Sequence, residues 1–308
     1  MGTRRWVARG LVLAVLLVVA ACATPEDDGR LRVYATTGHL ADAVRAIAPH
    51  AQVSTMVGPG SDPHSYQPST RDITTIHSSD VVFWVGLHLE AQMDDQLRSL
   101  GHRQVAVGER VPRELLLEVP SSGTRGTPVH DPHIWNSLPI WSLVVDVIAD
   151  ALAEVDPSGA ADYAANAADY QDRLAAVHER AGELLARVPP PRMVVTGHDA
   201  FGYLGATYDL DVRATDLVST EARLSPRQLS ALADLVAGNR VPVIFTDNQA
   251  NPQAITSLKE AVHALGWQVQ VADQQLYADS LGNEAGVDTH LGVLLHNATV
   301  IADALGEP

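Results

Sequence analysis

The chain has 308 residues, enough for about two domains of roughly 150 residues each, and its 46% apolar content can fill two hydrophobic cores. Its 37 acidic residues against 21 basic ones give a formal net charge of −16, which argues against nucleic acid or an anionic lipid surface as partner and mildly favours cations, beyond plain solubility. The single cysteine, Cys22, excludes an intrachain disulfide framework and a cysteine-based zinc site.

Arg4, Arg5 and Arg9 precede an apolar run from Leu11 to Ala21 that is too short to span a bilayer, which takes ~20 residues, and matches a signal-peptide core instead. Residues 1–21 are therefore expected to be removed. Val19-Ala20-Ala21-Cys22 resembles the lipobox of bacterial lipoproteins, which implies that Cys22 carries a lipid. Residues 22–30, with Pro25, Asp27, Asp28 and Gly29, are expected to form a polar tether.

Leu31 to Thr36 alternates like a strand, and Gly38 opens a helical pattern through Leu40, Val44 and Ile47 that Pro49 ends. A second strand, Gln52 to Val57, runs into the turn Gly58-Pro-Gly-Ser-Asp62, which delivers His64 to a loop. A short helix over Arg71 to His77, a buried strand Val81 to Val85, a helix His88 to Leu100 and a strand Gln104 to Val107 follow. This alternation predicts an α/β fold with a mainly parallel sheet, in which ligands bind beyond the carboxyl ends of strands.

Pro120 to Pro128 is expected to be a flexible loop. After it, Trp141, Val144, Val145, Ile148 and Leu152 share one helical face, with Ser137 as N-cap and Pro139 in the first turn. Residues from about Ser158 to Val188, stopped by Pro189-Pro-Pro191, predict a linking helix of ~45 Å at 1.5 Å per residue. A second βα series begins at Met193 to Thr196 and closes with a helix over Val287 to Leu305 that ends at Gly306. The expected organisation is an N-terminal α/β lobe over 31–157, a linking helix over 158–190 and a C-terminal α/β lobe of the same architecture over 191–308.

Four loop residues stand out. Asp62-Pro-His64 recurs as Asp131-Pro-His133; His198 follows a strand through Gly197, and Asp279 precedes a glycine-containing loop. Three imidazoles and a carboxylate make a donor set for a closed four-coordinate transition-metal site. Proline before each histidine restricts the backbone and lowers the entropy lost in holding the ring, and Asp62 and Asp131 are expected to accept the ring N–H groups. His39 and His130 are placed in loops that could border the site; His88, His102, His178, His263, His290 and His296 fall on predicted helices or their ends.

The stretch Asp62-Pro-His-Ser-Tyr-Gln-Pro-Ser-Thr-Arg-Asp72 resembles the first ligand segment of the zinc and manganese solute-binding lipoproteins of bacterial ABC importers. The resemblance continues through Val81 to Leu97 with Gly86 and Glu90, Asp131-Pro-His-Ile-Trp135, the long helix, Thr196-Gly-His-Asp-Ala-Phe-Gly-Tyr203, Ser219 to Leu229 and Asp279-Ser-Leu-Gly282. It implies two α/β lobes joined by a rigid helix with the metal between them, and His64, His133, His198 and Asp279 as its ligands, two from each lobe. Two positions depart from the family pattern: Asn136-Ser-Leu-Pro139 stands where Leu-Asp-Pro is common, and Asp247 stands where Glu is frequent.

A third neutral imidazole and no thiolate suit Zn2+, whereas Mn2+, the alternative cargo, prefers harder oxygen donors. The implied protein is not an enzyme. It is a monomer outside the cytoplasm that touches the membrane only through a lipid anchor, with a cognate ABC permease as partner and a metallochaperone as a further candidate. A secreted zinc hydrolase would need an open coordination position and a base, and no His-Glu-x-x-His helix is present. An adhesin role is the third alternative.

Overall fold

The structure, a computed structural model, describes residues 29–119, 129–220 and 223–306. The expected signal peptide, Cys22 and the loop Pro120–Pro128 lie outside the described residues, as does the tether before Gly29.

Two four-stranded parallel sheets carry the fold. The first contains β1 (Arg32–Ala35), β2 (Gln52–Thr55), β3 (Val81–Trp84) and β4 (Gln104–Ala106) in the order β2-β1-β3-β4. The second contains β7 (Met193–Thr196), β8 (Asp211–Ala214), β9 (Val243–Ile244) and β10 (Gln270–Val271) in the order β10-β9-β7-β8. Read from the opposite edge, the second order repeats the first, so the two lobes share one topology. All four residues of β3 and all four of β7 are buried, as parallel strands covered by helices on both faces require. A two-stranded antiparallel pair, β5 (Glu118–Val119) with β6 (Val129–His130), was not foreseen from the sequence.

Helix boundaries follow local capping. Thr37 accepts the Leu40 N–H at the start of α1 (Gly38–Ile47). Ser69 and Asp72 form a reciprocal capping box at α2 (Thr70–Ser78); Ser225 and Gln228 do so at α7 (Pro226–Gly238), with Pro226 in the first position. Asn251 caps α8 (Pro252–Ala264) and Thr289 caps α9 (His290–Leu305). Ser137 precedes α4 (Leu138–Val155) but makes no side-chain cap bond; its Oγ instead accepts from Thr207 at 3.0 Å.

The linking helix α5 (Ala160–Leu185) has 26 residues, about 39 Å at 1.5 Å per residue, shorter than the sequence suggested because Pro157–Gly159 forms a separate 3-10 turn before it and the helix ends at Leu185 instead of Val188. Tyr163, Ala167, Tyr170 and Leu174 of this helix enter the core of the first lobe, and Ala181, Leu184 and Leu185 enter that of the second. The first core also takes Tyr203 from the second lobe and Leu281, Val287, Leu291 and Leu294 from the far end of the chain. Leu31–Pro308 accordingly forms one compact unit.

One expected helix is largely absent. Only Asp94–Arg98 (α3) of the stretch His88 to Leu100 is helical. Gly86, Leu87 and His88 take left-handed φ values of 75°, 54° and 68°, which no continuous helix accommodates. The buried Glu90 carboxylate fixes this turn, accepting the Val85 and Gly86 N–H groups at 2.9 and 3.0 Å and the Thr36 hydroxyl at 2.6 Å.

Candidate metal centre

The four expected residues arrive from four separate loops. His64 follows β2 and the turn at Gly58–Gly60, His133 directly precedes a 3-10 turn leading to α4, His198 follows β7, and Asp279 lies in the chain between β10 and α9. One ligand atom from each lies within 4.8 Å of the others, and all four side chains are buried. Among the described residues this is the one such group of His, Cys, Asp or Glu.

His133 Nε2 sits 3.2 Å from His64 Nε2 and 3.2 Å from His198 Nε2. Asp279 Oδ2 is 3.2 Å from His198 Nε2 and 3.6 Å from His64 Nε2, and its Oδ1 is 3.4 Å from His133 Nε2. A tetrahedron with bonds of about 2.0 to 2.1 Å has edges of ~3.3 Å, and these five separations fall near that length, within a group spread over no more than 4.8 Å. Neither Asp279 oxygen has a hydrogen-bond partner; what faces them is imidazole nitrogen, a setting that suits a shared cation.

The two Asp-Pro-His segments build the same backbone hook: Asp62 Oδ1 accepts the His64 N–H at 2.8 Å, and Asp131 Oδ1 accepts the His133 N–H at 2.9 Å. Their side-chain roles differ. Asp131 Oδ1 also meets His133 Nδ1 at 2.7 Å, which keeps the proton there and leaves Nε2 as the free donor atom. Asp62 does not meet the His64 ring; its Oδ2 accepts from Ser65 at 2.8 Å and Thr220 at 2.7 Å. The expectation that both aspartates orient their rings therefore holds for Asp131 and fails for Asp62, whose second oxygen is taken by hydroxyls.

The His198 loop is held by a residue whose role the sequence did not disclose. Asp247, just beyond β9, accepts the N–H groups of Gly197 and His198 on Oδ2 at 3.0 and 2.9 Å, and that of Gln249 on Oδ1 at 3.0 Å. Burial raises its carboxyl to about 6, an effect the His198 N–H bond partly counters. No periodicity or motif joins positions 197 and 247; only the adjacency of β7 and β9 does.

Burial disfavours charge on Asp279, but the surrounding imidazoles, His198 foremost, outweigh it and hold the carboxyl well below its usual range. Burial also opposes charge on His198, yet the Asp279 carboxylate raises its pKa to about 9. Burial dominates at His64 and lowers it to about 4.

His39 and His130 are outside this group. His39 lies in α1 rather than in a loop, fully buried and stacked on Trp135 with ring centroids 4.9 Å apart, and burial drives its pKa well below normal. His130 belongs to β6 and lines a separate surface cavity of about 300 Å³ with His88, Arg98 and Arg113.

The family described as zinc-uptake complex component A, periplasmic, matches residues 33–304. The manganese-binding lipoprotein MntA of Bacillus subtilis is 32% identical over 309 residues, covering 96% of this chain and 99% of that protein. The zinc-binding protein TroA of Treponema pallidum is 32% identical over 287 residues, covering 90% of each. The solved structure of periplasmic zinc-binding TroA from Treponema pallidum superposes with a TM-score of 0.85 at 30% identity, over 91% of this chain and 100% of that one. Fe(III)-bound YtgA of Chlamydia trachomatis, with a TM-score of 0.78 at 24% identity, shares the fold. With a match over nearly the whole described chain, two lobes of one topology and a buried cluster of cation donors between them, the protein belongs to the zinc-uptake component A family, the metal-binding solute-binding proteins of ABC importers, which are not enzymes.

Proposed function

We propose that this chain captures Zn2+ outside the cytoplasm through His64, His133, His198 and Asp279 and delivers it to a cognate ABC permease. The observation that carries this reading is the donor set itself: three imidazole nitrogens and one carboxylate, buried and within 4.8 Å of one another. Zinc accepts three nitrogens and one oxygen in a closed tetrahedral shell, while manganese is better served by a site richer in oxygen. The relatives leave the ion open, since the manganese-binding and the zinc-binding protein are each 32% identical to this chain. Manganese is for that reason the second reading.

In the same proposal residues 1–21 are a signal peptide, Cys22 carries a lipid anchor beyond the tether 22–30, residues 31–157 and 191–308 are the two lobes, and 158–190 links them. The protein acts as a monomer, loaded from solution or by a metallochaperone.

The test is equilibrium dialysis of the chelator-stripped protein against equal free Zn2+ and Mn2+, with metal counted per chain. The expected result is one zinc per chain and little manganese, and loss of zinc in His198→Ala. Preferential retention of manganese would replace zinc by the alternative cargo, and unchanged zinc retention in His198→Ala would remove the proposed site.

A further inference from the structure

We propose that His39 is a specificity residue of the metal site: its ring, stacked on Trp135, braces the wall that fixes His133 and keeps the shell four-coordinate, so that zinc is held in preference to manganese. This rests on the zinc-capture function proposed above and adds the residue that enforces the choice of ion.

Behind the four donors lies a buried set of flat rings. His133 packs edge-to-face against Trp135, with ring centroids 5.2 Å apart and planes at 79°. Trp135 stacks on His39 at 4.9 Å with planes only 16° apart, and His290 meets His39 at 5.3 Å and Trp141 at 5.0 Å, both edge-on. These are separations at which aromatic rings attract one another. All five rings are 0% exposed. His133 and Trp135 lie at a 3-10 turn, His39 on α1, Trp141 on α4 and His290 on α9, so elements from both ends of the chain converge on the wall.

Trp135 is its centre. The indole N–H donates to Ala278 O at 2.8 Å, next to Asp279, and the Trp135 carbonyl accepts from His290 Nε2 at 2.7 Å. Asn136 adds a bond to Ala200 O at 2.9 Å, two residues beyond His198. One indole thus touches the ring of one donor and tethers the segment that carries another. Its two bonds hold it at the indole nitrogen and at the backbone, and the His39 ring fixes the plane between them. Neither nitrogen of His39 has a hydrogen-bond partner among the described residues, so no polar pairing accounts for a histidine there. Leucine would fill similar space without leaving two buried nitrogens unpaired. What leucine lacks is a flat face to lay on the indole.

Manganese is suited by more ligands than zinc, and by oxygen. To admit it the shell would have to widen, with His133 drawing back and Asp279 turning to offer both oxygens to one ion. Asp131 holds His133 Nδ1 at 2.7 Å, and the ring packs on Trp135. The Asp279 oxygens are spread over three imidazole nitrogens at 3.2 to 3.6 Å. A braced wall denies the expansion, and a slack one permits it.

The experiment compares the full chain with its His39→Leu and His39→Phe variants by equilibrium dialysis against mixed Zn2+ and Mn2+, by the visible spectrum of the Co2+-loaded protein, and by metal-free thermal melting. His39→Leu is expected to melt no lower than wild type, yet to lose roughly 10-fold in preference for zinc over manganese, along with the intense absorption of four-coordinate Co2+. His39→Phe, which restores a flat ring, is expected to keep the wild-type preference and spectrum. Wild-type preference and spectrum in His39→Leu, whatever its melting temperature, would make His39 a packing residue only and overturn the proposal, as would a loss in His39→Phe as large as in His39→Leu. A wild-type chain that binds neither ion, or that prefers manganese, would instead overturn the function on which the proposal rests.

Discussion

Replacing Asp247 separates what holds His198 from what binds at it. In Asp247→Ala the N–H groups of Gly197 and His198 lose their shared acceptor inside a site where Asp247 is only 5% exposed, and Gln249 loses its own. Each buried donor left unpaired costs about 1 to 3 kcal/mol; no longer burying a carboxylate offsets part of this, for a net loss of about 2 to 4 kcal/mol. Asp247→Asn keeps one oxygen where Oδ2 stands and forfeits only the Gln249 bond, a loss of about 1 kcal/mol or less. Urea unfolding of the metal-free variants gives these differences directly, and zinc competition should show about a 10- to 100-fold weaker site in the alanine variant, the usual effect of removing a group that orients a ligand. An alanine variant within about 0.5 kcal/mol of wild type, or an asparagine variant as damaged as alanine, would refute the assignment of this carboxylate as the strut of the His198 loop.

Three further outcomes are expected. Gly197→Ala should cost about 1 to 3 kcal/mol and disturb zinc retention, because a Cβ there would lie 2.8 Å from Asp247 Oδ2 and overlap Ala250, neither of which can retreat; circular dichroism melts and metal counting check it. His290 is fully buried, and burial lowers its pKa to about 4 while its Nε2 donates to Trp135 O. The unfolded chain, with a histidine pKa near ~6.5, then binds the proton first, so stability is whole above about pH 6.5 and falls by roughly 3 kcal/mol as pH drops through about 4. Urea titrations of metal-free protein at about pH 7 and about pH 4.5 should show this loss, and His290→Gln should reduce it. Saturating zinc at about 100 times its Kd should stabilise the fold by about 2.7 kcal/mol, measured as a raised melting temperature that excess chelator reverses.

Much of this was legible because it was local. Alternation marked β1 and a continuous apolar run marked β3, whereas the one cap expected, Ser137, makes no side-chain cap bond and the last helix starts at His290, capped by Thr289, rather than at Val287. Asp-Pro-His marked two fixed backbone points, but the bond both copies share is from the histidine backbone N–H to the aspartate, where ring N–H groups were the expected donors. What escaped notice depends on contacts between distant residues. Leu89, Met93 and Leu97 have helical spacing, but Glu90 reaches Thr36 and the end of β3 and bends the chain into a left-handed turn. His39 was placed in a loop although Gly38 opens the helical pattern, and with Thr37 as the cap it lies inside the first turn of the helix. The bonds of Trp135 and Asn136 to Ala278 and Ala200 cross 143 and 64 positions, and nothing in the local sequence signals them.

The long helix has a consequence for how the chain is made. Its first half completes one core and its last turns another, and the first core also waits for Leu291 and Leu294 near the end of the chain. An N-terminal fragment emerging from a ribosome would have the β-strands of a lobe but not the residues that seal it. Premature folding is thereby discouraged until almost the whole polypeptide exists, which predicts a single cooperative melting transition rather than one for each lobe.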